Sequence, residues 1–292
     1  MTIAGFQRTD RFLGFDADFT QARWVLGGVP MDFTASFQAG SRFGPPRIRE
    51  ASYGLETYSP LQDADLTERA LYDAGDLELP IGNVSKSLAL IEDAAADLLA
   101  RGKRLLALGG EHLITLPLIT AALRAWPDLL VVHWDAHADL RDTYLEERFS
   151  HATVLRRVAE LVGDGRVYQF GIRSGTAEEL AWGRAHTHLF PDDVLQPLLP
   201  MLDAWAGRPI YLTIDVDVFD PAFMPGTGTP EPGGITPREG FMALSALRGQ
   251  HIVGADIVET MPAADPSLRS ALLAAKLVRE TALLVTGEHS HG

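Results

Sequence analysis

Apolar positions along the chain fall into two alternating textures. Short continuous apolar runs at 104–110 (RLLALGG), 128–134 (DLLVVHW), 165–172 (GRVYQFGI), 209–216 (PIYLTIDV) and 251–258 (HIVGADIV) predict strands buried on both faces. Between and around them, apolar residues recur every three or four positions. Segment 87–103 (SLALIEDAAADLLARGK) has this helical period and ends in a basic turn around Gly102. Segment 113–126 repeats it despite Pro117, and 152–162 and 267–285 extend the helical set. Alternation of this kind predicts an α/β fold whose mostly parallel sheet is covered by helices on both sides. No composition shift marks a linker, so residues 1–292 read as one domain with an N-terminal extension of about 25 residues and a short polar C-terminal tail. The Gly/Pro-rich stretch 220–237 is expected to be a shaped loop following a strand. The tail, with His289 and His291, reads as a frayed end.

Composition narrows the partners. A chain of 292 residues that is 46% hydrophobic is globular. Its net charge of −14, with no basic stripe interleaved with aromatics, argues against nucleic acid and suits a cationic ligand. There is no cysteine, so any metal must be held by oxygen and nitrogen. No secretory signal pattern opens the chain and no apolar run of about 18 residues follows, so no membrane association is expected and the cytoplasm is the expected location.

The candidate chemistry sits at strand ends. Glu111 and His112 follow one predicted strand, Asp135, His137 and Asp139 a second, Asp215 and Asp217 a third, and Glu259 a fourth. Open α/β sheets place their ligands at the C-terminal edge. Along a strand, residues two apart share a face, so Asp215 pairs with Asp217, and Asp135 begins a series with His137 and Asp139. Two facing carboxylate pairs repel unless cations lie between them. Asp135, Asp139, Asp215 and Asp217 sum to −4, the charge that two divalent ions neutralise. Taken singly, each feature has a plainer reading: DVD as solvated turn carboxylates, the Gly-Gly before Glu111 as a close strand-to-helix turn, Trp134 and Trp182 as packing groups. His133, in phase with Asp135, reads as a packed histidine and stands outside the expected site.

The ordered set GGEHLITLP, DAHADL, SHAT, FGIRSG, DVDVFDPAFMPGTGTPEPGG and GADIVE, spread between about residues 27 and 285, resembles the ureohydrolases, the arginase and agmatinase superfamily. The resemblance implies a three-layer α/β/α fold around a mainly parallel eight-stranded sheet, a trimer or hexamer, and two Mn(2+) ions per subunit. It makes His112, Asp135, His137, Asp139, Asp215 and Asp217 the metal ligands, with Asp135 and Asp215 bridging. A hydroxide between the ions would attack a guanidinium carbon. Glu259 would bind the guanidinium, Asp139 would pass a proton to the leaving nitrogen, and His151 would relay protons or touch substrate, with Thr229 also among the substrate-binding positions. The loop from Leu140 to Ser150 lacks the arginase pattern for an amino-acid carboxylate, and the segment is similar to agmatinases, which implies cleavage of agmatine to putrescine and urea. Guanidinobutyrase, another guanidino-acid ureohydrolase, or a metal-stabilised amine-binding protein stand as alternatives. Arg42, Arg47 and Arg141 are the candidate receptors for a carboxylate at the far end of a substrate, and Glu146 and Glu147 read either as an acidic entrance or as surface charge.

Overall fold

Described residues 5–7 and 10–287 of the computed structural model contain a nine-stranded sheet. Its strands are β1 (Phe6–Gln7), β2 (Trp24–Val29), β3 (Leu71–Leu77), β4 (Arg104–Gly109), β5 (Leu130–Trp134), β6 (Val167–Ile172), β7 (His188–Pro191), β8 (Ile210–Asp215) and β9 (Ile252–Val258). Their spatial order is β1-β3-β2-β4-β9-β8-β5-β6-β7. Every neighbouring pair is parallel except β1 with β3. The strand count therefore exceeds the expected eight by one. The extra strand is two residues of the N-terminal extension, in which Phe6 pairs with Leu77 and Gln7 with Asp76, too short to leave a periodic signal.

Side chains alternate across this sheet into two cores. Leu130, Val132 and Trp134 of β5 join one apolar cluster, while Leu129 and Val131 join the other. The first lies under helices α1 (Gly44–Ser52), α6 (Leu195–Leu198), α7 (Pro237–Ala246) and α8 (Arg269–Thr286). The second lies under α2 (Val84–Ala100), α3 (Thr115–Ala125) and α4 (Val154–Val162), with α5 (Ala177–His186) packed at its margin through Leu180 and Trp182. The layers are thus helix, sheet, helix.

Local chemistry explains the helix limits. α2 starts three residues before the expected Ser87 because the Asn83 side chain accepts from the Lys86 amide at 3.0 Å. It stops before Gly102, whose φ of 71° is left-handed. Pro117 falls in the first turn of α3, where its missing N–H removes no helical bond. Trp134 is fully buried, and Trp182 stacks on His186 with ring centroids 4.3 Å apart. Residues 220–236 form no helix or long strand, in keeping with the expected loop, and α7 begins at Pro237 behind a Thr236–Glu239 capping box. His289 and His291 lie outside the described residues.

Candidate active site

Four consecutive strands of the sheet, β4, β9, β8 and β5, carry the candidate residues at their C-terminal ends. After β4 the chain must pass close to the β2 exit: Gly110 N–H donates to the Val29 carbonyl at 3.1 Å and Glu111 N–H to the Met31 carbonyl at 2.6 Å. A Cβ on Gly110 would stand 1.8 Å from the Met31 oxygen, so only glycine fits that approach. The Gly110 carbonyl accepts from the Glu259 amide at 2.8 Å, and Glu259 Oε1 accepts from the His112 amide at 2.8 Å. The ends of β4 and β9 are thereby tied together. Asp139 and Glu259 both have left-handed backbones, φ 53° and 64°, an uncommon conformation for such residues that clusters at functional sites.

The six expected ligands converge. His112 Nδ1 lies 3.2 Å from Asp135, 3.5 Å from Asp139 and 3.3 Å from Asp215, while His137 Nδ1 lies 2.9 Å from Asp217 and 3.5 Å from Asp135. Potential ligand atoms of Asp135, His137 and Asp217 lie within 4.8 Å of one another, as do those of His112, His133 and Asp135. Asp135 is common to both groups. Burial pushes the carboxyls of Asp139, Asp215 and Asp217 above their ordinary range, and carboxylate repulsion adds to it. Asp135 goes the other way: burial opposes its charge, but contacts from His112, His133 and His137 hold its pKa well down. For His112 and His137, burial favours the neutral ring, yet the adjoining carboxylates outweigh it and raise both.

These residues fit a pair of hard divalent cations. The donors are carboxylate oxygens and imidazole nitrogens, and buried His112 Nδ1 has no properly angled hydrogen-bond partner among the described residues. The tautomer of His112 is fixed from behind. Thr213 Oγ1 donates to Asp256 Oδ1 at 2.5 Å and so accepts from His112 Nε2 at 2.9 Å, leaving the Nδ1 lone pair for the carboxylate side. Asp256 is held in turn by Tyr211 and Thr115 hydroxyls, each at 2.9 Å.

His133 is closer to this chemistry than its expected packing role. Gln169 Nε2 donates to the Ala138 carbonyl at 2.8 Å and to His133 Nδ1 at 3.2 Å, and Gln169 Oε1 accepts from Thr187 at 3.0 Å. That leaves His133 Nε2–H to donate to Asp135 Oδ2 at 2.8 Å. His133 orients Asp135 instead of presenting a lone pair. Sequence reasoning missed His133, Gln169, Thr213 and Asp256, although each is a polar residue inside an apolar strand. A buried polar group in such a place demands a partner.

Above the ligands opens a cavity of about 340 Å³ lined by His137, Asp139, Asp215, His151, Thr229 and Glu259 among others. Buried His112, Asp135 and Asp217 lie behind it. Burial, with Asp215 and Glu111 nearby, drives the Glu259 carboxyl well up; a bound cation would reverse that preference. Thr229 Oγ1 stands 3.4 Å from Asp217 Oδ2. The His151 ring lies between Thr34 Oγ1, 3.4 Å from Nδ1, and Ser36 Oγ, 3.2 Å from Nε2. Burial lowers its pKa to about 4, with His137 and His112 adding repulsion, so the ring is neutral at pH 7. Buried Glu111 anchors the same loop by accepting from the Thr34 amide at 2.7 Å.

At the outer end, Arg141 enters the cavity, 3.3 Å from Glu179 and 4.8 Å from the Tyr144 ring centroid. The other two candidate arginines are engaged elsewhere, Arg42 with Asp32 and Arg47 with Glu50. Exposed Glu146 and Glu147 belong to a reverse turn closed by paired hydrogen bonds between Tyr144 and Glu147 and do not line the cavity.

Known proteins resemble this chain in sequence and fold. The model of the Arginase family matches residues 22–284. A Bacillus cereus protein named agmatinase is 48% identical over 275 residues, covering 93% of this chain and 95% of its own. The human guanidino acid hydrolase, mitochondrial, is 36% identical over 279 residues, covering 91% and 77%. Among solved structures, the agmatine ureohydrolase of Thermoplasma volcanium superposes with a TM-score of 0.87 at 30% identity, covering 96% of this chain and 95% of that one. A family match across nearly the whole sheet, together with a relative of this identity and coverage, means that the chain belongs to the arginase family.

Proposed function

We infer that the chain is a metal-dependent hydrolase that cleaves the guanidinium group of agmatine to give putrescine and urea. The observation that carries this reading is the convergence of four carboxylates and two imidazoles from neighbouring strand ends beneath a cavity that also holds Glu259. The relatives named for agmatine hydrolysis support it. His112, Asp135, His137, Asp139, Asp215 and Asp217 would hold two divalent cations, with Mn(2+) favoured by the oxygen-rich donor set. When bound, such a pair supplies an activated water nucleophile near neutral pH.

The remaining steps belong to the chain. Glu259 aligns the planar guanidinium by a charge-assisted contact and presents its carbon to the floor of the cavity. Asp139, the expected ligand with the left-handed backbone, lines the cavity and passes a proton to the departing nitrogen. Neutral His151 accepts or relays protons at the cavity wall between Thr34 and Ser36, and Thr229 contributes its hydroxyl to substrate contact. The family resemblance supports a trimer or hexamer, and residues 1–292 are read as a single domain. Among the described residues no helix is long and apolar enough to cross a membrane, and a cytoplasmic location is part of the same reading.

Substrate choice rests on the outer end. Arginine would bring an α-carboxylate to an outer end where Arg141 is already engaged by Glu179, whereas agmatine brings only an amine. Leaving a carboxylate uncompensated in a confined site costs several kcal/mol, and about 4 kcal/mol corresponds to roughly a thousandfold preference in kcat/KM for agmatine. A second reading, a guanidino-acid hydrolase, is favoured by one observation: Arg141 reaches the cavity and could release Glu179 to meet a substrate carboxylate. Urea release from agmatine, arginine and 4-guanidinobutyrate, with and without manganese, tests both. Equal or greater efficiency on arginine would reject the agmatine assignment, a preference for 4-guanidinobutyrate would select the second reading, and no urea from any of them would leave an amine-binding protein.

A further inference from the structure

The opposite edge of the sheet has an unexpected charge distribution. At the N-terminal ends of β2, β3, β4 and β9 lies a cavity of about 610 Å³ whose lining includes Arg23, Arg69, Arg104, Trp24 and Glu68. Sheet pairing fixes two of these cations side by side: the Arg104 amide donates to the Arg23 carbonyl at 2.9 Å, and Trp24 stands in register with Arg104. The Arg104 residue is only 9% exposed. Its guanidinium donates to the Ile252 carbonyl at 2.9 Å, lies 3.1 Å from His251 Nε2, and sits 5.9 and 5.7 Å from the ring centroids of Trp24 and Trp126.

None of these contacts supplies negative charge. Among the described residues, no carboxylate is in ion-pair contact with Arg23, Arg69 or Arg104, and Glu68 is exposed at the rim. Arg69 Nε is buried without a hydrogen-bond partner. Burial, and to a lesser degree repulsion from the neighbouring Arg23, lower the Arg104 pKa to about 10. The protein has a net charge of −14, yet among the described residues none of its carboxylates balances this cluster, whose three arginines line the cavity.

We propose that this cavity is a binding site for a small dianion of the phosphate class, free or as an ester, held by Arg23, Arg69 and Arg104. Guanidinium groups present paired donors that match tetrahedral oxyanions, and a dianion would relieve the repulsion between Arg23 and Arg104. The six-residue length of β4 separates the site from the metal ligands by about 20 Å, so it is distinct from the active site and its occupant does not meet the substrate. Occupation would tie the starts of four strands together and raise the stability of the sheet.

The experiment uses the metal-loaded protein, with inorganic sulfate as a weakly chelating probe, glycerol phosphate as the ester probe, and chloride at matched ionic strength as control. Thermal unfolding should show a saturable rise in Tm with sulfate or glycerol phosphate but not with chloride. The lower midpoint of the two identifies a free oxyanion or an ester as the better ligand; either supports the site. In the double variant Arg23→Gln/Arg69→Gln, and to a lesser degree in Arg23→Gln alone, the midpoint should rise at least tenfold while urea release is unchanged. The same Tm response to chloride, or an unaltered midpoint in the double variant, would overturn the proposal.

Discussion

Two buried charged clusters in this protein are built on opposite plans. Around Arg49, fully buried in α1, every guanidinium nitrogen is answered: Nε and Nη2 meet Asp73 at 2.8 and 3.0 Å, Nη1 meets Asp76 at 2.5 Å, and Nη2 also reaches the Gly75 carbonyl at 3.0 Å. Asp73 further accepts from the Phe12 and Gly75 amides. That cluster closes on itself and ties α1 to β3. The cluster of Asp135, Asp139, Asp215 and Asp217 does not close, because among the described residues the cations paired with it are imidazoles whose charge depends on those same carboxylates. A network in which the buried cation meets partners at every nitrogen is structural; carboxylates left without a fixed cation under a cavity mark a place for an external ion.

Substitutions can break that comparison. Asp135→Asn should have the largest effect, lowering kcat/KM on the order of ten-thousandfold with loss of bound metal, because it removes the carboxylate common to both ligand groups. The metal-free form of Asp215→Asn, which removes a carboxyl that burial and the neighbouring carboxylates disfavour as an anion, should unfold no more readily than the parent. Arg49→Met should do the reverse, costing about 3–5 kcal/mol of stability by stranding Asp73 and Asp76, with normal turnover per folded molecule. Denaturant titration of metal-free samples beside urea assays of loaded ones separates the two; similar losses of metal-free stability would erase the distinction.

Smaller effects sharpen it. His151→Asn should lower kcat roughly a hundredfold while both metals are retained in elemental analysis. Because burial holds the His151 pKa near 4, its ring is neutral throughout pH 5–9, and the substitution should leave the acidic limb of the kcat/KM profile above pH 5 in place. A shift of that limb would show that His151 titrates in the working range. Asp256→Asn, which weakens the acceptor behind Thr213, should cost about tenfold in metal affinity, measured by competition with a chelator. Unchanged affinity would mean that His112 keeps its tautomer without help.

The sequence made the parallel sheet and the strand-end convergence legible because both are written along single segments. Buried strands leave continuous apolar runs, and His112, Asp135, Asp215 and Glu259 each stand where such a run gives out. The supporting residues were less visible for a physical reason. Thr213 is in register with Asp256, and His133 with Gln169, so each pairing depends on which strands become neighbours. Hydrophobic periodicity reports the face of a strand and says nothing of what lies beside it. The edge strand Phe6–Gln7 escaped notice through its brevity, and the arginines of the far cavity because Arg23, Arg69 and Arg104 are distant from one another along the chain.

The His112 ring, set among three carboxylate oxygens with its far nitrogen committed to Thr213, also determines how the protein would take up metal. An imidazole there attracts a proton in competition with a cation, and so do the raised carboxyls of Asp139 and Asp215. Loading is therefore an exchange: each ion captured expels protons into the medium. Manganese added to a chelator-stripped sample in weak buffer should acidify it in proportion to the ions bound. Uptake should be progressively weaker toward low pH, so acid and metal compete for the same atoms.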